Sequence, residues 1–381
     1  MKKFLDCISV VGTTPSRFQG KRKYVSTGAV ATTEINESEV VEVTYEDRPS
    51  RANLSAESGD ILFAKMQGTR KTLLLDSETE ENVYSTGFYA IRANPEVITT
   101  ECLYYLVDSE LFLTQKDKHC SGATQKAITN GGLAKIEIRV PPLSEQGILT
   151  EKLRNLTRLI ADKRKQLELF DEVIKSRFIE MFGDPKDNPK GYVKKQLKDT
   201  CRVITGNTPS RAVSEYYGDH IEWIKTDNIV SGLLSPTSAT ESLSEKGMAV
   251  SRTVESGAIL MACIAGSIAS IGRVCVTDRK VAFNQQINAI VPSNYNILFL
   301  YVMLQISKEY LVDEINMALK GILSKSKLEE KTFYVPPIEL QNQFAAFVQQ
   351  TDKSKFYIVQ TKILLELLTR AIQHETNEVP L

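Results

Sequence analysis

The residues at the amino end of the chain that could bind a ligand are basic. Between residues 1 and 25 only Asp6 is acidic, whereas the basic side chains are Lys2, Lys3, Arg17, Lys21, Arg22 and Lys23. Such a focused patch attracts phosphate even in a chain whose formal net charge is zero, with 47 basic and 47 acidic residues. That balance excludes a strongly basic nucleic-acid-binding protein. The alternative for this run is a solvated surface segment.

Cysteine and histidine residues show no pattern that would hold a metal ion. None of the six cysteines forms a Cys-x-x-Cys pair; they are Cys7, Cys102, Cys120, Cys201, Cys263 and Cys275. Zinc requires about four ligands at close spacing, and the three histidines are scattered, with His119-Cys120 as the one adjacent pair. Isolated cysteines are typical of small buried side chains in a reducing compartment. The sequence therefore predicts no metal and no cofactor. Because residues 1–6 have no continuous apolar stretch after the lysines, as a secretory signal would, we expect a cytoplasmic protein.

Motifs of the common enzyme classes do not occur in the sequence. There is no Gly-x-x-x-x-Gly-Lys-Ser/Thr loop, and the glycines of residues 265–272 do not form Gly-x-Gly-x-x-Gly. Residues 187–190 read Asp-Asn-Pro-Lys and lack the aromatic residue with which an amino-methyltransferase loop stacks on a flipped base. They are typical of a linker turn. The sequence thus predicts a chain without a catalytic centre of its own.

The elements that must position the basic residues occur twice. The run Gly-x-Thr-Pro-Ser-Arg is found at Arg17 and again at Arg211, 194 residues later (211 minus 17). Three further landmarks recur in the same order at nearly the same offset, namely residues 58–62 and 256–260, 126–128 and 320–322, and 140–146 and 335–341. A period this long is not that of a solenoid. It indicates two copies of one domain.

Both copies have the same predicted layout. Residues 60–64 and 258–262 are typical of short buried strands bounded by glycine. A helical segment follows in each copy, at 101–112 and 297–311, and then a short strand that ends at a Pro-Pro pair, because two prolines cannot continue a ladder.

A long helix is predicted after each Pro-Pro pair. The apolar positions of the first fall at alternating steps of four and three, with two basic members: Leu149, Leu153, Leu156, Ile160, Lys163, Leu167, Phe170, Ile174, Arg177 and Met181. The second has the seam Phe344, Val348, Thr351, Lys355, Ile358, Lys362, Leu365 and Ile372. This heptad spacing favours a coiled coil in which the two seams pair. The alternative is an ordinary amphipathic helix on each globular core.

The expected fold class is α+β. Two mixed α/β domains are joined by two long antiparallel coiled-coil helices in a duplicated, pseudo-two-fold architecture. The predicted parts are a first domain at 1–143, a first long helix at 144–183, a linker at 184–190, a second domain at 191–338 and a second long helix at 339–376.

These landmarks together resemble the specificity subunits of type I restriction–modification enzymes. The resemblance covers essentially the whole chain and rests on residues 12–17, 59–62, 122–126, 141–146, 181–185 and 223–229. It implies that each domain is a target recognition domain for double-stranded DNA. It also implies two methyltransferase subunits bound to the helices, and restriction (motor-nuclease) subunits as further partners. No membrane partner is expected, because no apolar run is long enough to span a bilayer.

For DNA recognition, the candidate residues are those that bind phosphates or read base edges in the major groove. In the first copy they are Thr14, Ser16, Arg17, Lys21, Arg22, Lys65, Gln67, Arg70, Lys71, Gln125 and Lys126. In the second copy they are Thr208, Ser210, Arg211, Lys225, Asn228, Arg273, Asn284, Gln285, Gln286 and Lys320. Any one of them is equally well explained as a solvated surface residue. Positions that both copies share are better suited to gripping the backbone than to specifying a base.

Two other functions remain open on the sequence alone. One is a restriction or modification enzyme with an unrecognised active site, which would bind a cofactor as an isolated chain. The other is a non-catalytic coiled-coil adaptor, which would show no salt-dependent DNA binding even with its partners present.

Overall fold

The computed structural model describes residues 1–313, 315 and 321–375. The chain forms two compact units. Unit 1 contains residues 1–162 together with the described residues from 361 onward, and unit 2 contains residues 163–360. Both limits fall inside long helices, so each unit includes part of each long helix.

Short strands and helices of unit 1 alternate along the chain. The strands are β1 (Lys2–Lys3), β2 (Ile8–Val11), β3 (Arg22–Val25), β4 (Val30–Ala31), β5 (Glu34–Ile35), β6 (Val41–Val43), β7 (Ala52–Leu54), β8 (Ile61–Ala64), β9 (Thr72–Leu74), β10 (Val83–Ser85), β11 (Phe88–Ala93) and β12 (Glu137–Ile138). The helices are α1 (Thr100–Val107), α2 (Glu110–Lys118), α3 (Asn130–Leu133) and α4 (Leu143–Phe182), the last of which continues into unit 2.

Unit 1 has a central sheet with a different layer on each face. Its strand order is β2-β11-β8-β9, and a second sheet has the order β6-β3-β10-β7. All four side chains of β8 are buried, and because successive side chains point to opposite faces, they divide between two cores. Ile61 and Phe63 pack with the residues of α1 and α2, whereas Leu62 and Ala64 pack with those of the second sheet.

The elements of unit 2 follow in a similar order. The strands are β13 (Lys194–Gln196), β14 (Cys201–Thr205), β15 (Tyr217–Gly218), β16 (Ile221–Ile224), β17 (Ser242–Leu243), β18 (Thr253–Val254), β19 (Ile259–Ala262), β20 (Val274–Val276), β21 (Val281–Phe283), β22 (Ile287–Pro292) and β23 (Thr332–Tyr334). The helices are α5 (Leu197–Thr200), α6 (Glu245–Ala249), α7 (Ile297–Ile306), α8 (Lys308–Val312), α9 (Lys325–Glu330) and α10 (Ile338–Glu375).

The sheets confirm the duplication. The central sheet of unit 2 has the order β14-β22-β19-β20, which matches that of unit 1 strand for strand, and its second sheet has the order β15-β17-β16-β21-β18. The buried strand β19 divides its side chains in the same way, with Ile259 and Met261 on the helical side and Leu260 and Ala262 facing the second sheet. The α+β fold class with duplicated mixed domains is therefore confirmed. The domain limits given above stay a prediction.

Within unit 2, the parts of the two long helices that belong to it pack antiparallel. In unit 2 the ring of Phe344, near the start of α10, contacts Phe178 and Phe182 near the end of α4, whereas Lys355 contacts Asp171 further back along α4. Every seam position predicted above is buried or half-buried in both helices. The helices are 40 and 38 residues long, and their contacts within unit 2 involve the seam residues Phe344, Lys355 and, beside the seam, Phe178.

One polar position of the seam is paired across the helices. Lys355 is 8% exposed, and its Nζ lies 2.6 Å from Oδ1 of Asp171. Burial raises the pKa of the nearby Asp352; Lys355 opposes this rise and Asp171 adds to it. A buried ammonium is stabilised by a nearby acid, and this pair links α4 to α10 within unit 2.

Among the described residues, no helix has the length and apolar character needed to cross a bilayer.

Candidate nucleic-acid interface

The topology of unit 1 brings three loops to one edge of its central sheet. β2 and β8 both run antiparallel to β11, with Val11 opposite Ala90 and Ala64 opposite Phe88. The carboxyl ends of β2 and β8 therefore meet the amino end of β11. The turn at 12–17, the loop at 65–71 and the residues before β11 leave the sheet side by side.

Unit 2 repeats this arrangement. Thr205, at the end of β14, is opposite Asn288, and Ala262, at the end of β19, is opposite Ile287. The turn at 206–211, the loop at 263–273 and residues 284–286 consequently share one edge. β16 is parallel to β21, so Lys225, which follows β16, lies at the same edge. We call these two edges the reading edges of units 1 and 2.

Both turns begin with a glycine that the packing requires. A Cβ on Gly12 would lie 2.7 Å from the Leu54 side chain and 2.9 Å from Cβ of Ala90, and its φ of +95° is strained for other residues. A Cβ on Gly206 would lie 2.2 Å from the carbonyl oxygen of Asn284. The shared glycine thus lets each strand leave the sheet against a neighbouring segment. Part of the repeated motif therefore serves the fold.

The arginine that ends each turn forms an ion pair with a glutamate. Nη2 of Arg17 lies 3.1 Å from Glu46, and Nη2 of Arg211 lies 2.6 Å from Glu241. The hydroxyl residues before both arginines are exposed. Each turn therefore presents hydroxyl and guanidinium groups to solvent, which is the chemistry that binds phosphate.

Several candidates are exposed at the reading edges. In unit 1, the backbone N–H of Gln67 donates to the carbonyl of Lys126 at 3.0 Å, which places the loop at 65–71 beside the exposed segment that carries Gln125. In unit 2, the hydroxyl of Thr208 donates to Gln285. The exposed candidates are Thr14, Ser16, Arg17, Gln67, Gln125 and Lys126 in unit 1, and Thr208, Ser210, Arg211 and Gln285 in unit 2.

Other candidates of unit 1 have internal partners. Arg70 donates two hydrogen bonds, at 3.2 and 2.9 Å, to the buried carboxylate of Asp108. Lys71 donates to the carbonyl of Thr27 at 2.6 Å, and Lys65 donates to that of Thr86 at 2.9 Å. Through these hydrogen bonds, the three side chains hold the loop at 65–71 in its conformation.

Two basic candidates near the start of the chain lie on β3 or just before it. Lys21 pairs with Glu42 at 3.1 Å, and the guanidinium of Arg22 lies 4.7 Å from the centre of the Phe18 ring. Lys21 is exposed and Arg22 is half-buried.

Unit 2 also holds some candidates internally. The buried side chain of Asn228 bonds to Thr237 and to the carbonyl of Ser238. Arg273 donates to the carbonyls of Ser270 and Thr226. Asn284 is 6% exposed, and its side-chain amide donates to the side chain of Gln286, which is half-buried. Lys320 lies outside the described residues.

A buried lysine that the sequence did not single out holds the loop of unit 1. Lys116, on α2, is 2% exposed, and its ammonium donates to the carbonyls of Ala64 at 3.3 Å, Met66 at 2.8 Å and Thr69 at 2.8 Å. Its neighbour Asp117 accepts from the N–H of Gly68 at 2.9 Å. Burial lowers the pKa of Lys116. No local spacing pattern signals it, because its partners lie about 50 residues earlier.

Comparison with known proteins gives one consistent family. The profile of the type I restriction modification DNA specificity domain matches residues 11–169 and again residues 189–368. The specificity subunit of the type I restriction enzyme HindI from Haemophilus influenzae is 22% identical over 360 residues, which cover 74% of this chain and 76% of the relative. The MjaIX specificity subunit from Methanocaldococcus jannaschii is 24% identical over 299 residues, which cover 69% and 68%.

A solved structure shares the fold. The type I restriction–modification S subunit from M. genitalium superposes with a TM-score of 0.53 at 13% identity, over 100% of this chain and 96% of that chain. The resemblance identified from the sequence landmarks is confirmed by the profile, which matches well over half of the chain in two copies. The chain belongs to the type I restriction–modification DNA specificity family.

Proposed function

We propose that the chain is the DNA-recognition subunit of a type I restriction–modification complex, in which each unit reads one half of a bipartite target in double-stranded DNA. The observation that carries this function is the repeated reading edge. Each unit presents a turn with exposed hydroxyl and arginine side chains beside exposed amides, at the same end of the same sheet. Two unlike edges in one chain suit two unlike half-sites.

Each reading edge has some residues that bind phosphates and others that read bases. Phosphates are alike in every sequence, so the positions that both units share bind the backbone: Thr14, Ser16 and Arg17, and Thr208, Ser210 and Arg211. The exposed amides differ between the units, and a side-chain amide forms a bidentate pair with adenine in the major groove. We assign base reading to Gln67 and Gln125 in unit 1 and to Gln285 in unit 2.

The partners are assigned from the long helices. Large apolar side chains remain exposed on them: Ile148, Leu159, Ile363, Leu364, Leu367 and Leu368 in unit 1, and Leu169, Val173 and Phe356 in unit 2. Contiguous exposed apolar surface marks an interaction site. Two methyltransferase subunits bind these helices, and restriction subunits join the complex.

The chain itself is non-catalytic in this proposal and carries no cofactor. The purified chain, free of partner subunits, should transfer no methyl group from S-adenosylmethionine, should not cleave DNA and should not hydrolyse ATP. Methyl transfer by the chain alone would instead support a modification enzyme with its own active site.

Replacement of one unit's domain tests the reading function. Residues 191–338 are exchanged for the corresponding segment of another family member, and the methylated sites of the assembled complex are mapped by sequencing. One half of the target should change and the other should stay. If both halves change, the units do not read separately. If the assembled complex shows no salt-dependent binding to DNA, the chain is an adaptor.

A further inference from the structure

A carboxylate lies between two cations at the reading edge of unit 2. One oxygen of Glu241 accepts from Nζ of Lys225, and the other lies 2.6 Å from Nη2 of Arg211. Both cations also lie against aromatic rings. The guanidinium of Arg211 is 4.4 Å from the centre of the Tyr217 ring, and the ammonium of Lys225 is 5.2 Å from that of Trp223. The rings and the acid therefore hold the two positive groups around one point.

The three charged side chains are partly exposed, although the glutamate oxygen that faces Arg211 is itself covered. The side chain of Arg211 is 56% exposed, that of Glu241 is 34% exposed and that of Lys225 is 27% exposed. Lys225 and then Arg211 lower the pKa of Glu241, so the acid is charged at neutral pH. A carboxylate with one oxygen on each cation has the charge sign and the two-point geometry with which a phosphate would bind the same pair.

We propose that Arg211 and Lys225, framed by Tyr217 and Trp223, form a phosphate-binding site for the DNA backbone, and that Glu241 is its internal competitor. This rests on the proposed function and deepens it. A phosphate reaches both cations only by displacing the glutamate, so the free subunit binds DNA more weakly than its cations would allow. The pair is partly exposed, and exposed pairs are weak, so the displacement is a modest cost.

Unit 1 contains a corresponding arginine–glutamate pair that is more exposed to solvent. Arg17 pairs with Glu46 at 3.1 Å, with the two side chains 81% and 60% exposed. Solvent screens this pair more strongly, and Arg17 is the one cation that pairs with Glu46 among the described residues. The competitor effect in unit 1 should therefore be smaller than in unit 2.

The test compares three glutamine variants of the full-length chain: E241Q, E46Q and E255Q. Glu255 is the matched control, because its exposed carboxylate pairs with Lys280 at 2.9 Å and it precedes β19, at the opposite end of that strand from the reading edge. Binding to a fluorescein-labelled duplex of arbitrary sequence is measured by anisotropy over a range of salt concentrations. Thermal unfolding of each variant confirms that it is folded.

E241Q should bind the duplex roughly two- to five-fold more tightly than the wild type, because an exposed ion pair no longer has to be broken. The slope of log affinity against log salt should change by less than one, because both proteins contact the same phosphate once the glutamate is displaced. E46Q should show a smaller gain and E255Q none. Adding R211A to E241Q should abolish the gain.

Equal or weaker binding by E241Q, or an equal gain in E255Q, would overturn the competitor role. Weaker binding would mean that Glu241 positions the cations. If the wild type alone shows no measurable binding, E241Q must gain it, or the inference fails. The proposed function is judged separately, by the methylation map after domain replacement.

Discussion

The side-chain oxygen of Gln146 accepts the backbone N–H of Thr99 at 2.7 Å, which ties the start of α4 to the start of α1. The amide nitrogen of Gln146 donates to the carbonyls of Val97 and Pro141. Unit 2 repeats the contact: Gln341 accepts from the N–H of Asn296 at 2.9 Å. Both glutamines are completely buried. The recurring Pro-Pro and glutamine of the sequence is therefore the joint between each domain and its long helix.

Replacing Gln146 with leucine should lower the free energy of unfolding by about 1–2 kcal/mol, because the N–H of Thr99 and the carbonyls of Val97 and Pro141 lose their partner at a partly buried joint. Urea unfolding of the full chain measures the loss. Q349L on α10 is the control, since Gln349 is exposed. If the two variants lose equally little, the joint contributes no stability.

The Lys355–Asp171 pair should respond unequally to removal of its two members. D171N should destabilise the chain by about 1–2 kcal/mol, since it removes the ion-pair partner of a buried ammonium. K355M should be nearly neutral, because it removes the buried charge while the side chain of Asp171, 55% exposed, stays hydrated. Chemical denaturation of both variants checks the order. A larger loss in K355M would show that attraction between the charges outweighs burial of the lysine.

Alanine at Arg17 or at Arg211 should weaken DNA binding by the assembled complex. The expected signature of a lost phosphate contact is a salt slope lower by about one, with the same loss on every DNA sequence. K280A serves as control, because Lys280 precedes β21 at the end away from the reading edge. A relaxed preference at one base pair would make these arginines readers, and unchanged binding would leave the turn a purely structural feature.

A four-residue insertion near Lys163 should change the target spacing. One added helical turn lengthens α4 by roughly 6 Å, and base pairs rise about 3.4 Å each. The number of base pairs between the two half-sites, which neither unit reads, should therefore grow by roughly one to two. The sequences of both half-sites should stay the same. Some activity should be lost, because the insertion also shifts the heptad phase. Methylome sequencing gives the result, and an active variant with an unchanged number of intervening base pairs would show that the length of α4 does not set the distance between the half-sites.

The repeated and periodic features could be predicted from the sequence. The duplication is visible because four landmarks recur in one order at nearly one offset. The seam positions are buried or half-buried because a heptad fixes which side of a helix is covered. The helical segment predicted at 101–112 is in fact two helices. The break between them falls at Ser109, whose hydroxyl accepts the N–H of Phe112 and caps the start of α2.

The candidate site was less accessible to sequence reasoning, because its partners are distant along the chain. Arg70 is held by Asp108, 38 residues later, and Arg211 is held by Glu241, which directly precedes β17. No local spacing encodes such pairs. Exposure therefore divides the predicted residues into those that face solvent and those, such as Asn228 and Asn284, that hold a loop in shape.

The last turns of α10 belong to unit 1. There, Gln373 donates to the carbonyl of Tyr105 at 3.3 Å, and Arg370 pairs with Glu110 at 3.3 Å. Since a ribosome releases the chain from its amino end, the unit that is synthesised first is the last to be completed. Unit 2 has all of its residues once position 360 has emerged. A premature stop shortly after that position would therefore damage the amino-terminal unit and leave the carboxyl-terminal one whole.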